Sequence, residues 1–201
     1  IEQILRIYGY NNIAIPEQLY SSISYINKPD VEGLQNLVAD LLCNNGYNEC
    51  INNSLTKSSF SEMIDELNQK EQVVLLNPLS QDLDSMRQSM LFSGLENIAY
   101  NKNRKSNDLK MYEFGKTYSI KEDGQYEEKR KFILLATGRK KGESWNAKSE
   151  DKDFFWMKEQ VEHILNRLGL TNYKGANSSL SYLVDGYNLK SKKKSIVEFG
   201  Y

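Results

Sequence analysis

The sequence predicts an α+β fold, an antiparallel sheet flanked by helices. Three observations lead there. Residues 31–46 and 151–168 carry apolar positions at helical spacing between capping and stopping residues. Short runs of β-branched and aromatic residues are separated by turn signals such as Asp123-Gly124 and Asp185-Gly186. These strands follow one another as hairpins and meanders, interrupted by three or four helices.

The chain is long enough, at 201 residues, to bury one sizeable core. It is 39% hydrophobic and 26% charged with a net charge of −1, so global charge points to no particular partner. Cys43 and Cys50 are too few for a disulfide framework or a zinc site, and they favour a reducing compartment. No run approaches the roughly 20 apolar residues of a membrane helix, so no membrane partner is expected. Ile1 stands inside a helical pattern and Tyr201 directly follows a strand-like run, so the chain reads as a piece of a longer protein.

Ile4, Leu5 and Tyr8 predict a helix that Gly9 ends. Ile13 to Pro16 reads as extended. Residues 19–29 form a polar connector, and the domain boundary is placed at 27/28. Asp30 caps the next helix, whose apolar face is Val31, Leu34, Leu37, Val38, Leu41 and Leu42; Asn45-Gly46 stops it. Either that face packs on its own sheet or part of it meets another subunit.

A strand is predicted over 47–55, and a short helix over 59–68 with Phe60, Met63, Ile64 and Leu67 on one face. Residues 72–76 read as a buried strand ended by Asn77-Pro78. Met86-Arg87 returns to extended structure, and Met90, Leu91, Leu95, Ile98 and Ala99 give a helix. The strand over 109–118 contains Gly115, which signals a bulge or a close backbone approach. A hairpin turn at 121–125 leads to 132–138, FILLATG, the most apolar strand and the expected sheet centre. Asp151 or Asp153 caps a helix to about Leu168, and short strands follow near Tyr173 and over 180–184, 187–189 and 196–199.

Most catalytic classes lack their residues here. His163 is the only histidine and lies off the apolar stripe of its helix, which excludes serine-hydrolase triads and two-histidine zinc sites. Cys43 and Cys50 read as buried thiols. No GxGxxG or GxxxxGK[ST] run occurs. Paired acids such as Glu122-Asp123, Glu127-Glu128 and Glu150-Asp151 sit in turns, where a carboxylate is solvated and unsuited to acid–base work. Basic clusters at 102–105, 129–131, 139–141 and 192–194 are short, and with thirteen tyrosines in the chain they leave a nucleic-acid surface open as an alternative. A third reading is an autonomous nucleotide-binding enzyme using Arg87 and Lys116.

Two stretches, ILRIYGYNNIAIPE and LLNPLSQDLDSMRQSMLFSGLENIAYNKNR followed by LKMYEFGKTY, resemble the β subunits of bacterial phenylalanyl-tRNA synthetases. VEGLQNLVADLLCNNGYNECINNSL and FFWMKEQVEHILNRLGL fit the same order. The resemblance covers essentially the whole chain. It implies that residues 1–27 are the end of a small helical DNA-binding-like module, with no DNA as partner. Residues 28–201 would then be a class II aminoacyl-tRNA synthetase-like domain. It further implies a catalytic α subunit as partner, tRNA(Phe) as ligand of the heterotetramer, and a cytoplasmic setting. The helix over 31–46 would provide subunit contacts through Leu34, Leu37, Val38, Leu41 and Leu42.

The resemblance also implies a synthetase shape without the chemistry. An active class II site needs a Phe-Arg-x-Glu pattern on the strand of its second motif to hold the ATP α-phosphate. Residues 110–118 read KMYEFGKTY, where Lys116 is the nearest cation and lacks the bidentate fork of arginine. The glycine-rich arginine motif for the γ-phosphate is also not present before residue 201. Mg²⁺ and ATP are therefore expected to serve the assembled enzyme, with no cofactor for this chain alone. The family's Asp-x-x-Glu-Glu magnesium pattern is represented here by Glu2, with Gln3 in place of the second Glu.

Overall fold

The computed structural model describes residues 2–14, 18, 30–142, 144–146, 148, 150–192 and 194–201. The chain divides into two units, residues 1–30 and 31–201. In the first, helix α1 (Glu2–Tyr8) ends at Gly9, whose φ of 90° is open to glycine, and a 3₁₀ turn Tyr10–Asn12 follows. The predicted connector over 19–29 lies outside the described residues.

The second unit opens with α2 (Val31–Asn44), the helix predicted from its apolar face. Strand β1 (Asn48–Glu49) follows, far shorter than the predicted 47–55, and β2 (Leu55–Thr56) is separate from it. Later come β3 (Ser85–Met86), α3 (Leu91–Lys102), β4 (Lys110–Ile120) and β5 (Tyr126–Ala136). Helix α4 (Phe154–Arg167) and strands β6 (Lys174–Asn177), β7 (Tyr187–Ser191) and β8 (Lys194–Phe199) complete the unit.

Three sheets result among the described residues, ordered β1-β4-β5, β2-β3 and β6-β7-β8. All pairings are antiparallel except β1 with β4. The predicted class holds, with one correction. FILLATG does not form the sheet centre; β4 does, and β5 is an edge strand. An apolar run records burial of side chains, and here α2 and α4 bury part of an edge strand, so composition misreads its position.

Two other elements differ from expectation. Residues 59–68 begin with a 3₁₀ turn, Ser58–Glu62, not an α-helix. Ser58 or Ser59 is the cap the sequence offers, but the backbone N–H and Oγ of Ser58 both donate to the Asp84 carboxylate at 2.7 Å, a tertiary bond. Residues 72–76 are not a buried strand. They run beside 84–86 through Leu75 N–H to Asp84 O and Met86 N–H to Val73 O. Among the described residues nothing covers their outer side, and Val74 and Leu76 are exposed. Residues 180–184 turn back instead of extending, with Leu183 N–H bonded to Leu180 O.

Two apolar clusters hold the unit together. Val38 and Leu42 of α2, Tyr47, Tyr112 of β4 and Ile164 of α4 form the first. Val161 and Leu165 of α4 with Leu189 and Phe199 of the last sheet form the second. Helix α4 thus joins both sheets through two adjacent stripes, Trp156, Ile164 and Leu168 toward the first cluster and Phe154, Met157, Val161 and Leu165 toward the second. Its Asp153 cap accepts from Trp156 N–H at 2.7 Å, as the sequence predicts.

Candidate functional site

Successive side chains of β4 point to opposite faces. Tyr112 and Phe114 face α2 and α4, with Leu134 of β5 packed beside them. Glu113, Gly115 and Thr117 share the other face with Arg87 and Met90. Class II chemistry would need cations on this strand, so its charges decide what it can do.

Glu113 is buried in the middle of β4 and is fully committed. Its Oε1 accepts from Arg87 Nη1 at 2.8 Å and its Oε2 from Asn52 Nδ2 at 2.7 Å. Asn52 Oδ1 in turn accepts from Asn97 Nδ2 at 2.9 Å. Arg87 Nε donates to Lys116 O at 2.9 Å, and Tyr118 N–H donates to Arg87 O at 2.9 Å. The network ties the segments after β1 and β3 to α3 and β4 and cancels its own charge.

Gly115 shows why this face closes. A Cβ there would lie 2.6 Å from Met90 Cε and closer still to Arg87 Nη2. The register of β4 and β5 runs through it without interruption. Of the two expectations for Gly115, the close approach is realised and the bulge is not.

The remaining cations of β4 are engaged as well. Lys116 Nζ pairs with Glu128 Oε1 at 2.6 Å. Lys110 Nζ donates to Asn45 O at 3.0 Å and lies 5.6 Å from the Tyr47 ring. Cys50, near Glu113, has its thiol pushed up by burial first and by the Glu113 charge next. Neither effect favours a thiolate nucleophile.

The five α2 positions separate by environment. Val38 and Leu42 are core residues of this chain, and Leu41 packs against that core. All three thus pack within the chain's own core, against β4 and α4. Leu34 is 47% exposed and lines a cleft, whereas Leu37 is part-exposed and belongs to neither cluster nor cleft.

Glu2 does not fit a magnesium site. It is exposed on α1, its Oε1 accepts from Arg6 Nη2 at 3.0 Å, and its neighbour is an amide. A hard dication needs several oxygen ligands, and no group of three or more His, Cys, Asp or Glu side chains suited to a metal occurs among the described residues.

His163 is exposed, as expected. Cys43 is exposed, contrary to expectation, because position 43 is rotated about 100° from Leu42 on the helix. Its Sγ lies 3.4 Å from Tyr112 Oη. No helix of the described residues is long and apolar enough to cross a membrane.

Sequence reasoning missed the Glu113 network. A signal was present: an ionisable residue flanked by Met111, Tyr112 and Phe114 must either leave the core or find a partner. Which partner it finds depends on residues 26 and 61 positions away.

Comparison with known proteins agrees with this architecture. The phenylalanine–tRNA ligase beta subunit of Bacteroides thetaiotaomicron is 45% identical over 179 residues, 85% of this chain and 22% of the relative. That of Bacteroides fragilis is 44% identical over the same shares. This chain therefore spans about a fifth of the length of the curated relatives it matches. Among solved structures, a pyrrolysyl tRNA synthetase of Desulfitobacterium hafniense superposes with a TM-score of 0.61 at 17% identity, covering 85% of this chain and 56% of that one. At that identity the likeness concerns the fold, and it is the synthetase fold expected from the sequence. The model of the phenylalanyl tRNA synthetase beta chain CLM domain matches residues 15–200, and the chain belongs to that family.

Proposed function

We propose that this chain is the non-catalytic, synthetase-shaped part of a phenylalanine–tRNA ligase β subunit. In this reading it scaffolds the catalytic α subunit and helps to form the surface where tRNA(Phe) lies, in ATP-dependent formation of phenylalanyl-tRNA. ATP and Mg²⁺ belong to the assembled enzyme, which works in the cytoplasm. Residues up to 27 are the end of the preceding module, and 28–201 form the synthetase-like domain.

One observation carries the non-catalytic part. Arg87, the arginine hydrogen-bonded to β4, is buried and bound to Glu113, so it has no free edge for a phosphate. Lys116 is held by Glu128. Phosphate recognition in a low-dielectric site needs uncompensated donors, and this strand supplies none. The same facts weigh against an autonomous nucleotide-binding enzyme using these two residues.

A nucleic-acid module acting through the basic loops is also disfavoured. Arg139 pairs with Asp108, Lys140 with Asp153 and Lys129 with Glu127. Such pairing weakens the positive field on which backbone binding depends.

The test is phenylalanine-dependent ATP–pyrophosphate exchange. The purified chain is expected to show none and to co-purify with a catalytic α subunit that does. Robust exchange by the chain alone would remove the reading.

A further inference from the structure

Four lysines gather at one end of the last sheet. Lys174 opens β6, Lys190 lies near the end of β7, Lys192 sits in the turn that follows, and Lys194 opens β8. All four are exposed. Among the described residues none of the four has a side-chain hydrogen bond, ion pair or ring contact. Arg139, Lys140 and Lys129 differ in this respect, since each pairs with an acid.

The sheet itself gives no reason for the cluster. Lys174 and Lys190 are direct partners in the β6–β7 register. Like charges placed opposite each other across an antiparallel pair destabilise it. Lys192 has a φ of 47°, in the left-handed region, and Ser191 pairs with Lys194 around it. A connection that tight favours glycine, asparagine or aspartate. The sequence thus keeps cations where strand pairing and turn geometry both oppose them. An anionic partner relieves the repulsion and gives the positions a use.

The surroundings narrow the class of partner. Strands β6, β7 and β8 expose no large apolar side chain. Protein interfaces centre on buried aromatic or apolar anchors and are depleted in lysine. Gly175, Ala176 and Ser195 beside the lysines are small and exposed, so a bulky backbone can come close. Lysine meets a phosphate as a point charge and needs no fork geometry.

We propose that Lys174, Lys190, Lys192 and Lys194 form a contact for the phosphate backbone of an RNA. The contact positions the RNA and reads no base, because backbone contacts carry no sequence information directly. It rests on the ligase reading above and names residues of this chain that meet the RNA. The four cations act as one part of the assembled enzyme's surface and make no autonomous nucleic-acid module.

The test uses the complete β polypeptide assembled with its catalytic α subunit, and a tRNA(Phe) transcript as the probe. Lys174, Lys190, Lys192 and Lys194 are replaced together by glutamine. Affinity at about 50 mM salt is expected to fall at least tenfold, and the slope of log affinity against log salt to flatten by about 3, as for four lost phosphate contacts. Arginine at the same positions is expected to keep both. Phenylalanine-dependent ATP–pyrophosphate exchange, run without RNA, is expected to be unchanged in both variants. Unchanged affinity and salt slope in the glutamine variant, with exchange intact, overturn the proposal and leave the ligase reading standing. Loss of α-subunit co-purification in that variant shows a protein partner at the patch and overturns the proposal as well. If the unsubstituted assembly neither binds tRNA(Phe) nor exchanges, the ligase reading fails first and the proposal with it.

Discussion

Arg87 Nη1 donates to Glu113 Oε1 at 2.8 Å, and each side chain is only 4% exposed. This pair sits on the face of β4 opposite the main apolar cluster. It fastens the extended segment after β3 to the central strand of the sheet, and Asn52 and Asn97 complete its hydrogen bonds.

Breaking that pair from one side should be costly. Glu113→Ala leaves a guanidinium buried without its counter-ion, and a loss of about 3–5 kcal/mol in denaturant unfolding is expected. Replacing both partners, Arg87→Met with Glu113→Leu, should recover much of the loss, because no charge then remains to desolvate. A single substitution that proves harmless would mean that water reaches the site.

Gly115→Ala should destabilise the chain by about 1–3 kcal/mol through overpacking against Arg87 and Met90. Gly142→Ala is the control. A Cβ there meets nothing within 4 Å, and the change should fall within about 0.5 kcal/mol of zero. Equal effects at both positions would show that the Arg87 side chain yields easily.

Asp153 should give the chain an acid-sensitive helix start. The Lys140 hydrogen bond first, and the Trp156 N–H next, hold its carboxyl below the usual carboxylate range. A depressed carboxyl contributes stability above its unfolded pKa and loses it as pH falls through the folded value. Between neutral pH and about pH 4, the melting temperature of Asp153→Asn should trail the parent by a constant margin, since asparagine still caps. Below that, the two curves should converge. Asp153→Ala should melt lower than either at neutral pH.

The α2 face should separate core from contact. Leu42 is 2% exposed, and Leu42→Ala should lose about 2–5 kcal/mol. Leu37→Glu should leave the fold intact and abolish association with an α subunit, measured by co-purification and circular dichroism. Unfolding of the Leu37 variant would make that position ordinary core.

Local signals carried much of the architecture. The stripe of α2, the Asp153 cap and the Asp123-Gly124 turn each depend on residues within a few positions of one another, and each is present. The Glu2 site was a remnant in the sequence, and the structure ties that carboxylate to Arg6. Residues 72–76 and FILLATG were misplaced because apolar composition reports a tendency to be covered, not what does the covering.

The sequence by itself determined the family, the α+β class and the absence of the arginines that an ATP site on β4 would need. Those rest on residue identity and short-range order, which a linear string contains. Only the tertiary structure decided that β4 is central, that Arg87 is bound to Glu113, and that Lys174 and Lys190 stand opposite each other across β6 and β7. These depend on contacts between distant positions, where burial and backbone pairing choose among partners that local pattern leaves equivalent.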